Sequence, residues 1–148
     1  MFGFCFLDPQ LLDISVCKDL EEICVSIFVK PEENIKPTEK AQCCVSADLL
    51  ANYAPPTLEK IVIRLYDIDT ATMLENRTAL NLQVLNDVVT QARFPNLRRL
   101  KLRVEVTRNL EKYEGLYQRD CRDAVLRALP KVVTNLSVLS IDVRWSSW

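Results

Sequence analysis

Residues 94–106 read FPNLRRLKLRVEV. Pro95-Asn96 is a stop signal, and after it Leu100, Lys101, Leu102, Arg103, Val104, Glu105 and Val106 alternate apolar with charged residues. A period of two is the signature of a half-buried strand. The same grammar occurs three more times. Leu20 opens LEEICVSIFV, Leu58 opens LEKIVIRLYD and Leu136 opens LSVLSIDVRW, each reading L-x-x-(I/L)-x-(V/I/L)-x-(I/L/V). The first leucines stand 38, 39 and 39 residues apart. A short apolar pattern says little alone, but near-equal spacing over four copies signals stacked supersecondary units.

Helix-forming segments lie between these strands. Ahead of Leu58 runs VSADLLANYAPPT, with Ser46 or Asp48 as a helix cap and Pro55-Pro56 as the stop. Ahead of Leu97, the residues Leu82, Leu85, Val88, Val89 and Ala92 fall at helical spacing, and Pro95 ends the segment. Ahead of Leu136, Ala124, Val125, Ala128 and Leu129 face one way, with Pro130 near the end. LDPQLLDISVCKD, before Leu20, has room for two helical turns. The unit is helix, tight turn, strand and polar return loop. Charge and two prolines predict mobility for the loop at 30–42, DIDTATMLENRTAL accommodates a turn of helix, and 107–120 extends the fourth helix, interrupted at Gly115.

Like-oriented strands separated by helices imply a parallel sheet with crossover connections. Helices on both faces would demand continuously apolar strands, whereas helices on one face leave strands that alternate. Strands three and four alternate, strand two does so apart from Val62, and strand one is the most apolar. The expected fold is therefore α/β: a leucine-rich-repeat-like solenoid layer of about four helix–strand repeats. The parallel sheet carries helices on one face, with strands near 20–29, 58–66, 97–106 and 136–145 of a single domain, 1–148.

These residues resemble a family. The strand signature looks like a divergent leucine-rich repeat. From Phe94 through Val143, F-P-N-L-R-R-L-K-L-R-V followed by L-R-A-L-P and a final apolar strand is similar to the carboxyl-terminal part of fungal F-box proteins. More narrowly, it resembles the leucine-rich-repeat-like region that basidiomycetes carry in many copies. The resemblance implies repeats that recognise a substrate, while an F-box helix bundle docks on a ubiquitin-ligase linker protein. Two departures stand out. The usual repeat is about 20–29 residues with Asn or Cys after the strand, whereas here the period is longer and those positions hold Phe28, Tyr66, Glu105 and Arg144. No asparagine ladder is expected, and no F-box segment is visible.

Composition fits this reading. A chain of 148 residues, 49% hydrophobic and 26% charged, buries a real core. No apolar run approaches the roughly 20 residues of a membrane helix. The start, MFGFCFLDPQ, lacks the basic opening and small-residue cleavage site of a signal peptide, and reads as a buried strand or a cut into a larger domain. Cys5, Cys17, Cys24, Cys43, Cys44 and Cys121 are expected as reduced thiols, the sequons at Asn76 and Asn135 as accidental, and the location as cytoplasmic or nuclear. Residues 1–90 hold 7 Lys/Arg against 14 Asp/Glu, and residues 91–148 hold 12 against 6. Such asymmetry orients a partner, but it is too mild for a nucleic-acid binder.

The chemistry is narrow. Without histidine, Ser-His-Asp and Cys-His nucleophile systems and the commonest metal ligand are gone. Gly3 and Gly115 alone build no phosphate-cradling loop, and the cysteines lack C-x-x-C spacing. No cofactor and no metal site is expected, and no enzyme. One alternative is a small Mg-dependent phosphotransferase-like enzyme using Asp67 and Asp69, spaced like the D-x-D motif of haloacid-dehalogenase-like proteins. Against it, Ala71 stands where that family carries Thr or Val, and Arg64 and Tyr66 break the apolar strand before the motif. Solvated turn aspartates explain the pair more simply.

The sheet face opposite the helices is the broad surface the core does not need, and so the expected place for a protein partner. Its outward residues fall in three rows: Cys24, Val62, Lys101 and Ser140; Ser26, Arg64, Arg103 and Asp142; Phe28, Tyr66, Glu105 and Arg144. Phe28, Arg64, Tyr66, Lys101, Arg103, Glu105, Asp142 and Arg144 are the candidate binding residues, mixing charge with two aromatics. The plainer alternative makes Arg103–Asp142 and Glu105–Arg144 mere cross-strand ion pairs on a wet sheet. Trp145 and Trp148, with no following repeat to cover them, suggest an interface with another chain or a missing part, and a self-associating structural module is a third reading.

Overall fold

The computed structural model of the protein describes residues 2–4, 19–106, 114–135 and 139–145. Strands β1 (Phe2–Phe4), β2 (Glu22–Phe28), β3 (Lys60–Ile68), β4 (Arg99–Val106) and β5 (Leu139–Trp145) form one parallel sheet. Their order in the sheet, β1-β2-β3-β4-β5, is their order in the chain. The four expected strands are present, and β1 adds a short fifth beside Ile23–Val25. Ile23, Ile61, Leu100 and Leu139 stand side by side. Those residues are 38, 39 and 39 apart, so the sequence period is the sheet register. A slip of one residue would turn every apolar side chain to the wrong face.

An unbroken strand order also places the helices. Right-handed crossovers that always step in one direction return on one side of the sheet. Burial agrees: Ile23, Val25, Ile27, Ile61, Ile63, Leu65, Leu100, Leu102, Val104 and Ile141 share a core with buried apolar residues of the helical segments from Gln42 onward. Cys24 and Val62 are also covered, at 4% and 5% exposure, but lie on the opposite face and outside that core.

The strands begin two or three residues after each first leucine, and the main chain explains why. The Glu21 carbonyl accepts the N–H groups of Glu59 and Lys60 at 2.7 and 3.0 Å. One unit on, the Glu59 carbonyl accepts those of Arg98 and Arg99 at 2.7 and 3.1 Å. The same junction is copied from unit to unit without any side-chain ladder, and Leu20, Leu58 and Leu97 are buried beside it.

Helix ends depart from expectation. Helix α1 (Gln42–Asp48) starts before Ser46, which is buried within it, and Asp48 is its last residue, so neither caps it. Its first N–H groups are satisfied from the next unit instead: Gln42 and Cys43 donate to the Ala79 and Leu80 carbonyls, both at 2.9 Å. The helix then runs into a π-helical turn, Leu49–Tyr53, ended ahead of Pro55. The segment expected as a helix through Ala92 is a 3-10 turn, Leu82–Val84, followed by the single turn of α2 (Leu85–Val88). The Val88-Val89-Thr90 run is β-branched and stiff, and the Thr90 hydroxyl accepts the Arg93 N–H at 3.2 Å in place of a helical bond. Helix α3 (Glu114–Ala128) passes through Gly115, and Ala124, Val125, Ala128 and Leu129 are buried as expected. Pro130 opens α4 (Pro130–Asn135), the first-turn position where its missing N–H costs nothing.

The return loops are tied down. Gln42 bridges the ends of the 30–42 loop, accepting the Lys30 N–H at 2.9 Å and donating to the Phe28 carbonyl at 2.6 Å. Asn76 accepts the Thr78 and Ala79 N–H groups and donates to Glu32, each at 2.9 Å. The expected turn of helix after β3 is the 3-10 segment Ala71–Glu75. No helix among the described residues is long and apolar enough to cross a membrane. The first helical segment, Cys5, Cys17, Leu136 and Trp148 lie outside the described residues.

Cys24, Cys43, Cys44 and Cys121 are free thiols. Burial, reinforced by neighbouring Cys44, pushes the Cys43 thiol far above its ordinary 9.0. Burial, with the Asp120 charge adding to it, lifts Cys121 to about 11. Above pH 9 the unfolded chain releases these protons while the folded chain keeps them, so stability is full below pH 9 and falls as pH rises through the folded values. Each thiol should contribute a loss of up to about 1.4 kcal/mol per pH unit in that window. Urea unfolding across the alkaline range checks this, and Cys43→Ala with Cys121→Ala should flatten the slope.

Candidate functional site

Strand alternation sends residues 22, 24, 26 and 28 of β2 to the face away from the core, and their partners on β3, β4 and β5 follow. The pairing joins Cys24, Val62, Lys101 and Ser140 in one row and Ser26, Arg64, Arg103 and Asp142 in the next. In the third row Phe28 pairs with Tyr66 and Glu105 with Arg144. Between Tyr66 and Glu105 the register shifts, because β3 carries an extra residue between Leu65 and Ile68. The two residues of this bulge are Tyr66 and Asp67, and Asp67 sits at φ 63°, the left-handed conformation that aspartate tolerates better than most residues.

All eight candidate residues therefore meet on one face. Phe28 is 53% exposed and stacks on Tyr66, with ring centroids 4.9 Å apart. The Tyr66 side chain, with the Glu105 charge adding to it, holds the Arg64 guanidinium pKa above its ordinary value despite burial. Arg64 and Arg103 are direct cross-strand neighbours of like charge, an arrangement that costs stability. Asp142 gathers the cations: Arg144 Nε at 2.7 Å, Arg103 Nε at 3.7 Å and Lys101 Nζ at 3.9 Å. The expected Arg103–Asp142 pair is present. The Glu105–Arg144 pair is replaced: Arg144 Nε donates instead to Asp142, two residues back on its own strand.

One row escaped the sequence reading. Glu22, Lys60 and Arg99 are register partners one step earlier on the same face, and Lys60 Nζ lies 3.4 Å from Glu22 Oε1. The same alternation, extended back by two residues, carries the signal for it.

Asp67 and Asp69 are exposed at the carboxyl end of β3. The Asp69 N–H faces Met73 Sδ at 3.3 Å, and Thr70 and Thr72 join hydroxyls at 2.8 Å. No group of three or more His, Cys, Asp or Glu residues among the described residues is placed to hold a metal ion. Trp145 ends β5, the last strand of the sheet. Compared with known proteins, the chain matches no family model, no curated protein and no solved structure.

Proposed function

We propose that the chain is a leucine-rich-repeat-like solenoid acting as a non-catalytic protein-interaction module, the substrate-recognition part of an F-box-like ubiquitin-ligase adaptor. One observation carries the interaction reading: the outward rows lie on one face that is polar and cationic in its middle and ends in an exposed aromatic stack. The core uses the other face, so nothing in folding requires two neighbouring arginines and an exposed phenylalanine here. Costly surface features of this kind are typical of binding surfaces.

The test is a pull-down with the tagged chain carrying Arg64→Glu and Arg103→Glu, with circular dichroism as the folding control. Loss of specifically captured proteins is the expected result. If every partner survives the double substitution, the face is not the binding surface. The ligase part is tested separately, by reading the genomic locus upstream for an in-frame F-box helix bundle.

A further inference from the structure

We infer that the partner presents an acidic segment with an apolar or aromatic side chain, lying across β2 to β5 on the open face. This rests on the interaction-module reading and names the chemistry of its partner. The central rows carry four cations, Arg64, Lys101, Arg103 and Arg144, against two carboxylates, Glu105 and Asp142. Asp142 is shared by three of those cations within 4 Å, so one negative charge faces three positive ones. The excess leaves a positive field over the middle of the face, which favours an incoming carboxylate.

The arginines are poised for it. Arg103 Nε has no protein acceptor within hydrogen-bond distance, and its ion contact to Asp142 is long at 3.7 Å. A ligand carboxylate would supply the acceptor that the buried Nε lacks, and a guanidinium takes a carboxylate in two parallel hydrogen bonds. Arg64, beside it, likewise has a buried Nε without an acceptor. The Phe28–Tyr66 stack borders these arginines and offers an apolar ring to an adjacent side chain of the same segment. A nucleic-acid strand suits the face less well, since Glu105 and Asp142 would oppose its evenly spaced phosphates.

Random short peptides displayed against the full chain are the probe, followed by titration of synthetic copies at low and high salt. Enriched peptides should be net negative with an aromatic residue and weaken with salt. Arg103→Gln should weaken them about tenfold or more. Asp142→Asn, which removes the competing carboxylate, should tighten them roughly threefold; a merely structural role for Asp142 predicts no gain. Neutral or basic peptides that are lost on Tyr66→Ala would overturn the acidic inference and leave the interaction face standing. Displacement of the peptides by a single-stranded oligothymidylate of higher affinity would make the partner a nucleic acid and overturn it as well. Failure to enrich any peptide, or binding that neither Arg103→Gln nor Tyr66→Ala alters, would overturn both readings.

Discussion

Replacing Asn86 with leucine should lower the free energy of unfolding by about 2–4 kcal/mol, read as a reduced urea midpoint with an unchanged slope. Asn86 is a buried polar side chain on α2, and its amide serves two helices of the following unit. Its Nδ2 donates to the Ala128 carbonyl at 2.8 Å, one of the last acceptors of α3. Its Oδ1 accepts the Lys131 and Val132 N–H groups at 3.2 and 3.4 Å, among the first donors of α4. Helix ends leave such groups without intrahelical partners, and the break at Pro130 puts both ends in one place. Leucine fills the volume but orphans three backbone groups, two of them buried. Asn86→Asp keeps the acceptor and loses the donor, so it should fall between wild type and Asn86→Leu at neutral pH. A leucine variant as stable as wild type would show that the amide is not the clamp between these units.

Phe94→Ala should cost about 3–5 kcal/mol, the range for deleting a fully buried aromatic ring. Phe94 has no solvent exposure and belongs to the core that joins helices and strands. The turn into β4 is built on it: its N–H bonds the Thr90 carbonyl at 2.9 Å, and its own carbonyl accepts the Leu97 N–H at 3.1 Å. Arg93 lies over its ring, 4.6 Å from the centroid, and donates to the Ala51 and Ala54 carbonyls at the end of the previous unit's helical segment. Phe94→Leu keeps most of the volume and should cost under about 2 kcal/mol. Arg93→Ala, whose carbonyl partners water can partly replace, should cost about 1 kcal/mol. The double variant Arg93→Ala/Phe94→Ala should fall short of additivity by about 0.5–1 kcal/mol, because the cation–ring contact is lost in either single variant. Full additivity would mean that the guanidinium and the ring act independently.

Much of the candidate site is legible in the sequence, because a strand's faces follow from its own alternation. Once Leu20, Leu58, Leu97 and Leu136 are seen as equivalent, the neighbours of Arg64 and Arg103 follow by adding 38 or 39, and the pairing agrees up to the bulge at Tyr66-Asp67. What alternation does not specify is how long side chains divide their partners. Arg144 has Glu105 as its cross-strand neighbour yet bonds Asp142. The β3 bulge is equally silent in IVIRLYDID, since an extra residue leaves the apolar pattern readable on either side of it.

The sequence by itself determined four of the five strands, their parallel order and, outside the β3 bulge, their register and the face each side chain takes. Those properties arise from a short apolar pattern that recurs at near-equal spacing, and like patterns pack best in like register. Only the tertiary structure decided where the helices begin and end. Ala79 and Leu80 cap α1, Asn86 joins α3 to α4, and Arg93 closes the segment before Pro55. In each case the partner lies about 37 to 46 residues away along the chain, close to the spacing of successive strands. A helix end is fixed by whichever donor or acceptor the neighbouring unit brings to it, and no local propensity records that group.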